Sequence, residues 1–324
     1  NAKLIEIGNI EDNLELLSDA DLIIEVVLEK IEIKHDVFRK IDKVRKKNSI
    51  ITSNTSTIPR ELLVQGMPVS FSNDFIITHF FNPPRYLRLL EIVAGQGVSQ
   101  EKIDLVSNFC DVHLGKEVVI CNDTPGFIGN RIGTYWTLIG MVEAMKSGLT
   151  VEEADAIMSR PMGAPKTGIF GLADVVGLDL IPHVTASMST NLPDEDMYNI
   201  AVKEQEELGL DQIFSEMIKT GYTGRKGKGG FYRLNKDSGK RIKESRNIKT
   251  GEYSKSSRGT NLESVKAAKK GLRNLVEFDD KGGKYAWRVL SKTLAYAASL
   301  IPEITDNIVN VDLAMKNGFL WKKG

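Results

Sequence analysis

Between residues 20 and 121 the apolar positions alternate between two patterns. Continuous apolar runs of strand length occur at 20–27, 49–53, 75–81, 87–93 and 117–121, as expected of strands buried on both faces. Between the first two runs, Ile33, Val37, Phe38, Ile41 and Val44 recur at helical spacing, which predicts a helix over 31–46. A short strand over 4–10, a brief helix to about residue 17, a short helix after Pro59 and a helix over 100–113 complete this half. Strand and helix alternating at this rhythm predict an α/β fold with a parallel sheet. Ligands bind such sheets beyond the C-terminal ends of their strands, so Val27-Leu28-Glu29 and Ser53–Ser56 are candidate lining; Glu25 or Glu29 could meet a ribose hydroxyl, and a solvated strand end accounts for them equally.

The runs at 75–81 and 87–93 flank Asn82-Pro83-Pro84-Arg85-Tyr86, which cannot continue a strand ladder. A hairpin centred near Arg85 pairs residues whose numbers sum to about 170, setting His79 opposite Glu91. Both interrupt an otherwise apolar pattern. A histidine held by a carboxylate in apolar surroundings is a general-base construction.

From about residue 123 the pattern turns helical. Asp123-Thr124-Pro125 predicts a helix start with Pro in the first position, running to about 146. Thr150 with Glu153 forms a capping box for 150–158. Helices are expected over 171–189 and 194–219, and Gly221–Gly230 reads as a loop. Residues 233–283 are polar and read as a linker or surface segment, with a helix near 262–275. Two more helices follow, over 285–300 and 306–315. The stretch 308–315 echoes 151–158, matching Asp312 with Asp155 and Met315 with Met158, which suggests the start of a second helical domain. The expected organisation is therefore a Rossmann-type domain over 1–122, a helical domain over 123–232, the linker over 233–283 and the second helical copy over 284–324.

Composition narrows the function classes. In 324 residues, Lys+Arg and Asp+Glu balance at 43 each, which argues against a general nucleic-acid binder. No apolar run has the ~20 residues of a membrane span. Two cysteines, Cys110 and Cys121, make neither a disulfide framework nor a metal spacing. A cytoplasmic protein is the default expectation. The chain starts at Asn1, so it is expected to begin inside a longer one.

Each candidate residue has a plainer reading. His79 alone could be a satisfied core histidine, but a facing Glu91 raises the catalytic reading, since a buried strand carboxylate is rare unless paired. Ser56, in a turn rich in small hydroxyls, could complete a Ser56–His79–Glu91 hydrolase triad, although no G-x-S-x-G elbow surrounds it. Asn130 reads equally as a solvent-facing helix residue or as an amide that orients a carbonyl. Lys226 and Lys228 could meet phosphates, though a flexible basic loop is the preferred reading.

Five stretches carry a resemblance: ADLIIEVVLEKIEIK, SNTST, THFFNPPRYLRLLEIV, DTPGFIGNRI and GRKGKGGFY. In order and spacing, over roughly residues 1–232, they resemble the L-3-hydroxyacyl-CoA dehydrogenases of fatty-acid β-oxidation. Residues 285–319 resemble the second helical half-domain of fused forms, in which an enoyl-CoA hydratase domain follows; nothing of that domain is in this sequence. The resemblance implies an NAD-binding Rossmann domain and a helical domain that shapes the acyl-CoA cleft. Its implied partners are an acyl-CoA substrate and either a second copy in a homodimer or a fused hydratase domain. It further implies His79 as catalytic base, Glu91 as its partner, and Ser56 and Asn130 as holders of the substrate's 3-oxygen. Glu29, Lys34, Asn54, Ser56 and Asn82 fall on cofactor-contacting positions. The sequence departs from the family pattern in one place: it lacks the G-x-G-x-x-G turn that seats a pyrophosphate. A relative that kept the fold and lost turnover is the remaining non-enzymatic reading.

Overall fold

A computed structural model describes residues 2–236, 239–257 and 260–324. The chain forms two compact units, residues 1–128 with 302–318 and residues 129–301 with 319–324. These units do not follow the expected boundaries. Residues 284–324 do not form a separate copy but are divided between the two units.

The first unit is a five-stranded sheet in the order β1 (Leu22–Glu25), β2 (Ile50–Ser53), β3 (Phe75–Phe80), β4 (Leu89–Ala94), β5 (Glu117–Ile120). Neighbours run parallel except β3 and β4, which form the antiparallel hairpin. One face is covered by the helix Ile31–Val44, which buries Lys34, Val37, Phe38 and Ile41 at helical spacing. There the rings of Phe38, Phe71 and Phe75 meet at 5.2–5.6 Å. On the other side Ile50, Ile76, Leu90 and Ile92 pack with Val98, Val106 and Cys110. Burial on both faces explains the unbroken apolar runs of β2, β3 and β4; the edge strands β1 and β5 leave Ile24 and Ile120 exposed.

Residues 4–10 are not the expected strand. Only Ala2–Leu4 is helical, as a 3-10 turn, and Leu4, Ile5 and Ile7 are exposed. The Asn9 side chain accepts from the backbone N–H of Glu11 and Asp12, and this local turn replaces strand pairing. The helix Ile308–Gly318 also belongs to this unit. Asn310 Nδ2 donates to the Ile120 carbonyl at 3.2 Å, and Asn122 N to the Ile304 carbonyl at 2.9 Å.

The second unit is built on the helix Gly129–Lys146, against which Met197–Glu207 and Lys281–Ser299 pack. Arg131, fully buried, pairs with Asp196 at 2.6 Å. Tyr285 donates to the Gly140 carbonyl at 3.0 Å. The Thr150–Glu153 capping box is present. The expected helix over 171–189 is broken at Gly177, where φ is +107°, into Phe170–Val176 and Leu180–Thr190. Residues 233–283, expected as a linker or surface segment with a helix near 262–275, contribute to a three-stranded antiparallel sheet, β6 (Tyr232–Asn235), β7 (Ile242–Arg246) and β8 (Tyr253–Lys255), and carry the short helices Glu263–Ala267 and Leu272–Val276. The second unit therefore joins the expected helical domain to a small sheet that follows it in sequence. The sheet is largely open to solvent, so its strands carry polar residues and read as linker. Among the described residues, no helix is long and apolar enough to cross a membrane.

Candidate active site

His79 and Glu91 stand opposite each other on β3 and β4, in the register the Pro-Pro turn implies. His79 Nδ1 donates to Glu91 Oε2 at 2.7 Å. The carboxylate only accepts, which fixes the proton on Nδ1 and leaves Nε2 as the basic nitrogen. Among the described residues Nε2 has no hydrogen-bond partner. The pair is buried, His79 at 4% and Glu91 at 0% exposure. The rings of Phe81 and Phe127 flank the imidazole, with centroids 4.6 and 5.6 Å away. Glu91 Oε1 accepts from the Ile128 N–H at 3.1 Å. Cys121 is also a titratable neighbour of Glu91; burial and the carboxylate push its thiol well above the usual value, so it stays neutral.

A second group gathers at the C-terminal ends of β1 and β2. Lys34, 1% exposed, reaches up from its helix to both oxygens of buried Glu25 at 2.9 Å and to Glu29 at 3.1 Å. Ser53 and the Val27 N–H also donate to Glu25, each at 2.5 Å. Glu29 takes further donors from the Thr55 hydroxyl, from the Ser56 N–H at 3.0 Å and from the Thr57 N–H at 3.4 Å. Burial works against its charge. The Thr55 hydroxyl, the Lys34 ammonium and the Ser56 N–H outweigh that and hold the carboxyl below its usual range. The Glu29 side chain keeps 39% of its surface open, so an anchored, ionised acceptor faces outward at the strand ends. Asn54 ties the two groups together, its Oδ1 accepting from the Phe80 N–H at 2.9 Å.

The expected residues therefore fall into several situations. His79 and Glu91 form one pair. Glu29, Lys34, Asn54 and Ser56 share the strand-end cluster. Lys34 is buried under Glu25 and Glu29, so it acts on anything bound there through Glu29. Asn82 is exposed on the turn after β3. Asn130 belongs to the second unit, as the second residue of the helix Gly129–Lys146, and not the second turn of a helix begun by Pro125. Among the described residues no hydrogen bond joins the Ser56 hydroxyl to His79, so the triad geometry of a serine hydrolase is not formed. Sequence reasoning missed the Ile128 N–H on Glu91. The signal was Gly126, which belongs to a turn rather than to a helical first turn.

The residues present suit a dinucleotide on the side facing the β1–β3 strand ends. The anchored Glu29 carboxylate keeps lone pairs open to hydroxyl donors, and it stands where open α/β sheets bind nucleotides.

Residues 1–124 match the family model described as 3-hydroxyacyl-CoA dehydrogenase, NAD binding domain, and residues 126–234 the one described as 3-hydroxyacyl-CoA dehydrogenase, C-terminal domain. A protein of Bacillus subtilis named "Probable 3-hydroxyacyl-CoA dehydrogenase" is 39% identical over 329 residues, covering 100% of this chain and 40% of that protein. One of Deinococcus radiodurans named "Probable 3-hydroxybutyryl-CoA dehydrogenase" is 33% identical over 224 residues, covering 68% of this chain and 74% of that protein. The crystal structure of 3-hydroxybutyryl-CoA dehydrogenase from Escherichia coli K12 shares the fold, with a TM-score of 0.65 at 20% identity over 96% of this chain and 74% of that one. The chain spans about two fifths of the length of its longer relatives. With a strand-borne His–Glu pair beside a nucleotide-type strand-end cluster, and with both family models matched in order, the chain belongs to the 3-hydroxyacyl-CoA dehydrogenase family.

Proposed function

We propose that this chain is the dehydrogenase part of an enzyme that oxidises L-3-hydroxyacyl-CoA to 3-oxoacyl-CoA with NAD. The observation that carries this is the His79–Glu91 pair, with Nδ1 committed to the carboxylate at 2.7 Å and Nε2 unbonded. NAD, when bound, supplies the hydride acceptor. His79 Nε2 takes the proton from the substrate's 3-hydroxyl, and Glu91 stabilises the imidazolium that results. Phe81 and Phe127 keep water from the ring, which strengthens that electrostatic support. Ser56 and Asn130 orient the 3-oxygen, and Glu29, held by Lys34, receives the cofactor's sugar hydroxyls together with Asn54 and Asn82. The rest of the reading is a cytoplasmic, multifunctional protein of fatty-acid oxidation, in which this part packs with a hydratase domain or a second copy.

The test is NADH formation from L-3-hydroxybutyryl-CoA by the protein that carries this chain. Turnover is expected, with a Glu91→Gln variant slower by about 10–100-fold, the usual cost of losing a partner that orients a working histidine. No NAD-dependent oxidation of any 3-hydroxyacyl-CoA would overturn the reading.

A further inference from the structure

The turn between β5 and the next helix is anchored at its start by two adjacent residues. The Asn122 side chain donates to the carbonyls of Pro302 and Glu303, at 3.0 and 3.1 Å. The Asp123 carboxylate accepts from the Arg60 N–H at 2.7 Å and the Glu61 N–H at 3.0 Å. Between these anchors and the end of the turn, two successive residues enter the left-handed region, Gly126 at φ +73° and Phe127 at φ +49°. For glycine that costs little. For phenylalanine it costs about 1–2 kcal/mol.

This strained residue does two things. Its backbone turns the next peptide so that the Ile128 N–H meets Glu91 Oε1 at 3.1 Å, opposite the oxygen that holds His79. Its ring, 1% exposed, lies 5.6 Å from the imidazole. Glycine would adopt the same backbone without strain, so the phenyl ring is what the strain is spent on. We infer that Phe127 is a positioning residue for the His79–Glu91 pair: its backbone fixes which Glu91 oxygen faces the histidine, and its ring keeps the pair dry. The inference rests on the reading of His79 as the base.

His79 on β3 and the neutral Cys121 after β5 are titratable groups that face Glu91 among the described residues, and a change at the Ile128 N–H is read through His79. Replacing the 127–128 amide by an ester removes that donor and leaves every side chain in place. The Glu91 carboxylate becomes more basic and stabilises the imidazolium more strongly. The acid limb of kcat/KM then moves to higher pH by roughly 0.5–1 unit, a part of what a hydrogen bond to a charged group is worth. The downfield proton signal of His79 Nδ1–H shifts as well, a readout that needs no turnover. Phe127→Gly keeps the backbone and loses the ring; kcat falls about tenfold with the acyl-CoA KM within about twofold, and Phe127→Leu restores most of it. An acid limb and a proton signal that both stay put in the ester would overturn the inference while the proposed reaction stands. A parent protein whose acid limb survives His79→Gln would fail on the earlier reading, and the inference would fall with it.

Discussion

Buried carboxylates occur in both units, and they are satisfied in different ways. Glu91 in the first unit spends one oxygen on a titratable ring and the other on a backbone N–H. Asp155 and Asp174 in the second unit are held mainly by backbone. Asp155 accepts from the N–H of Phe170 and Gly171 at 2.8 and 3.0 Å and from the Tyr232 hydroxyl at 2.8 Å. Asp174 accepts from the N–H of Phe231 and Tyr232, each at 2.8 Å. Burial pushes Asp155 up to about 7 and Asp174 to about 6 against the pull of those donors. A carboxylate whose partner exchanges a proton near neutral pH is equipped for proton transfer; one held by amides, or by a phenol such as Tyr232 that burial keeps protonated, pins one segment of chain to another. Burial alone does not separate the two cases, and neither does a perturbed titration. The identity of the donor does.

This contrast can be broken at its strongest point. His79→Gln is expected to lower kcat by about 10²–10⁴-fold, the range of general-base catalysis, while the urea midpoint moves little. If NADH formation survives unchanged, the two sets of carboxylates are equally structural. The converse substitution, Asp174→Ala, leaves two backbone N–H groups buried without their acceptor. It should lower stability by about 2–5 kcal/mol, with kcat per folded molecule unchanged. Denaturant titration alongside active-site-normalised rates checks both halves.

The pH dependence of stability sharpens the comparison further. A free aspartate titrates near ~3.9, and Asp155 in the folded chain at about 7. Between those values the native state binds more protons than the unfolded one. Its contribution is therefore fully present below ~4 and is lost as pH rises through about 7. Asp174, at about 6, acts in the same direction. Thermal melts are expected to show the second unit losing stability from pH ~5 to ~8, with a shallower slope in Asp155→Asn. A flat profile would remove the distinction drawn from burial. The smallest effect is expected at Glu29→Gln. Its anchors remain, and a neutral acceptor is left in place of an anionic one. The KM for NAD should rise about three- to tenfold with the acyl-CoA KM unmoved.

Much of the proposed site was legible in the sequence for a local reason. The Pro-Pro turn fixes the hairpin register, and register in turn fixes that His79 faces Glu91. The strand-end loops were legible from the buried parallel strands that carry them. Lys34 was not legible as buried, because only two carboxylates from another segment make its burial affordable. The start of the helix at Gly129 was hidden by Pro125, which fits a helical first turn but here precedes a left-handed pair. The GRKGKGG loop read as a flexible basic loop with a phosphate alternative. The structure gives its glycine at 230 another purpose: a Cβ there would lie 1.8 Å from Asp174 Oδ1. Lys226 is paired with Asp179 at 2.8 Å, and Lys228 donates to the Thr220 carbonyl at 3.0 Å. Asp174 and Asp179 are distant in sequence from this loop and leave no periodic trace.

The return of the helix Ile308–Gly318 to the first unit has a bearing on how this chain is made. The helix approaches so closely at Gly318 that a Cβ there would lie 2.6 Å from Leu89. During synthesis the strands emerge long before the helix that covers Leu89 and Phe81, with residues 129–301 of the second unit translated in between. The first unit thus cannot mature vectorially; its apolar flank waits on the ribosome, and the closing contact spans a long loop. A chain stopped at residue 234, where the family match ends, would keep every residue of the His79–Glu91 pair and lose the cover over that flank. Protease nicking in the second unit, by contrast, would leave the two pieces of the first unit able to stay together without a covalent link.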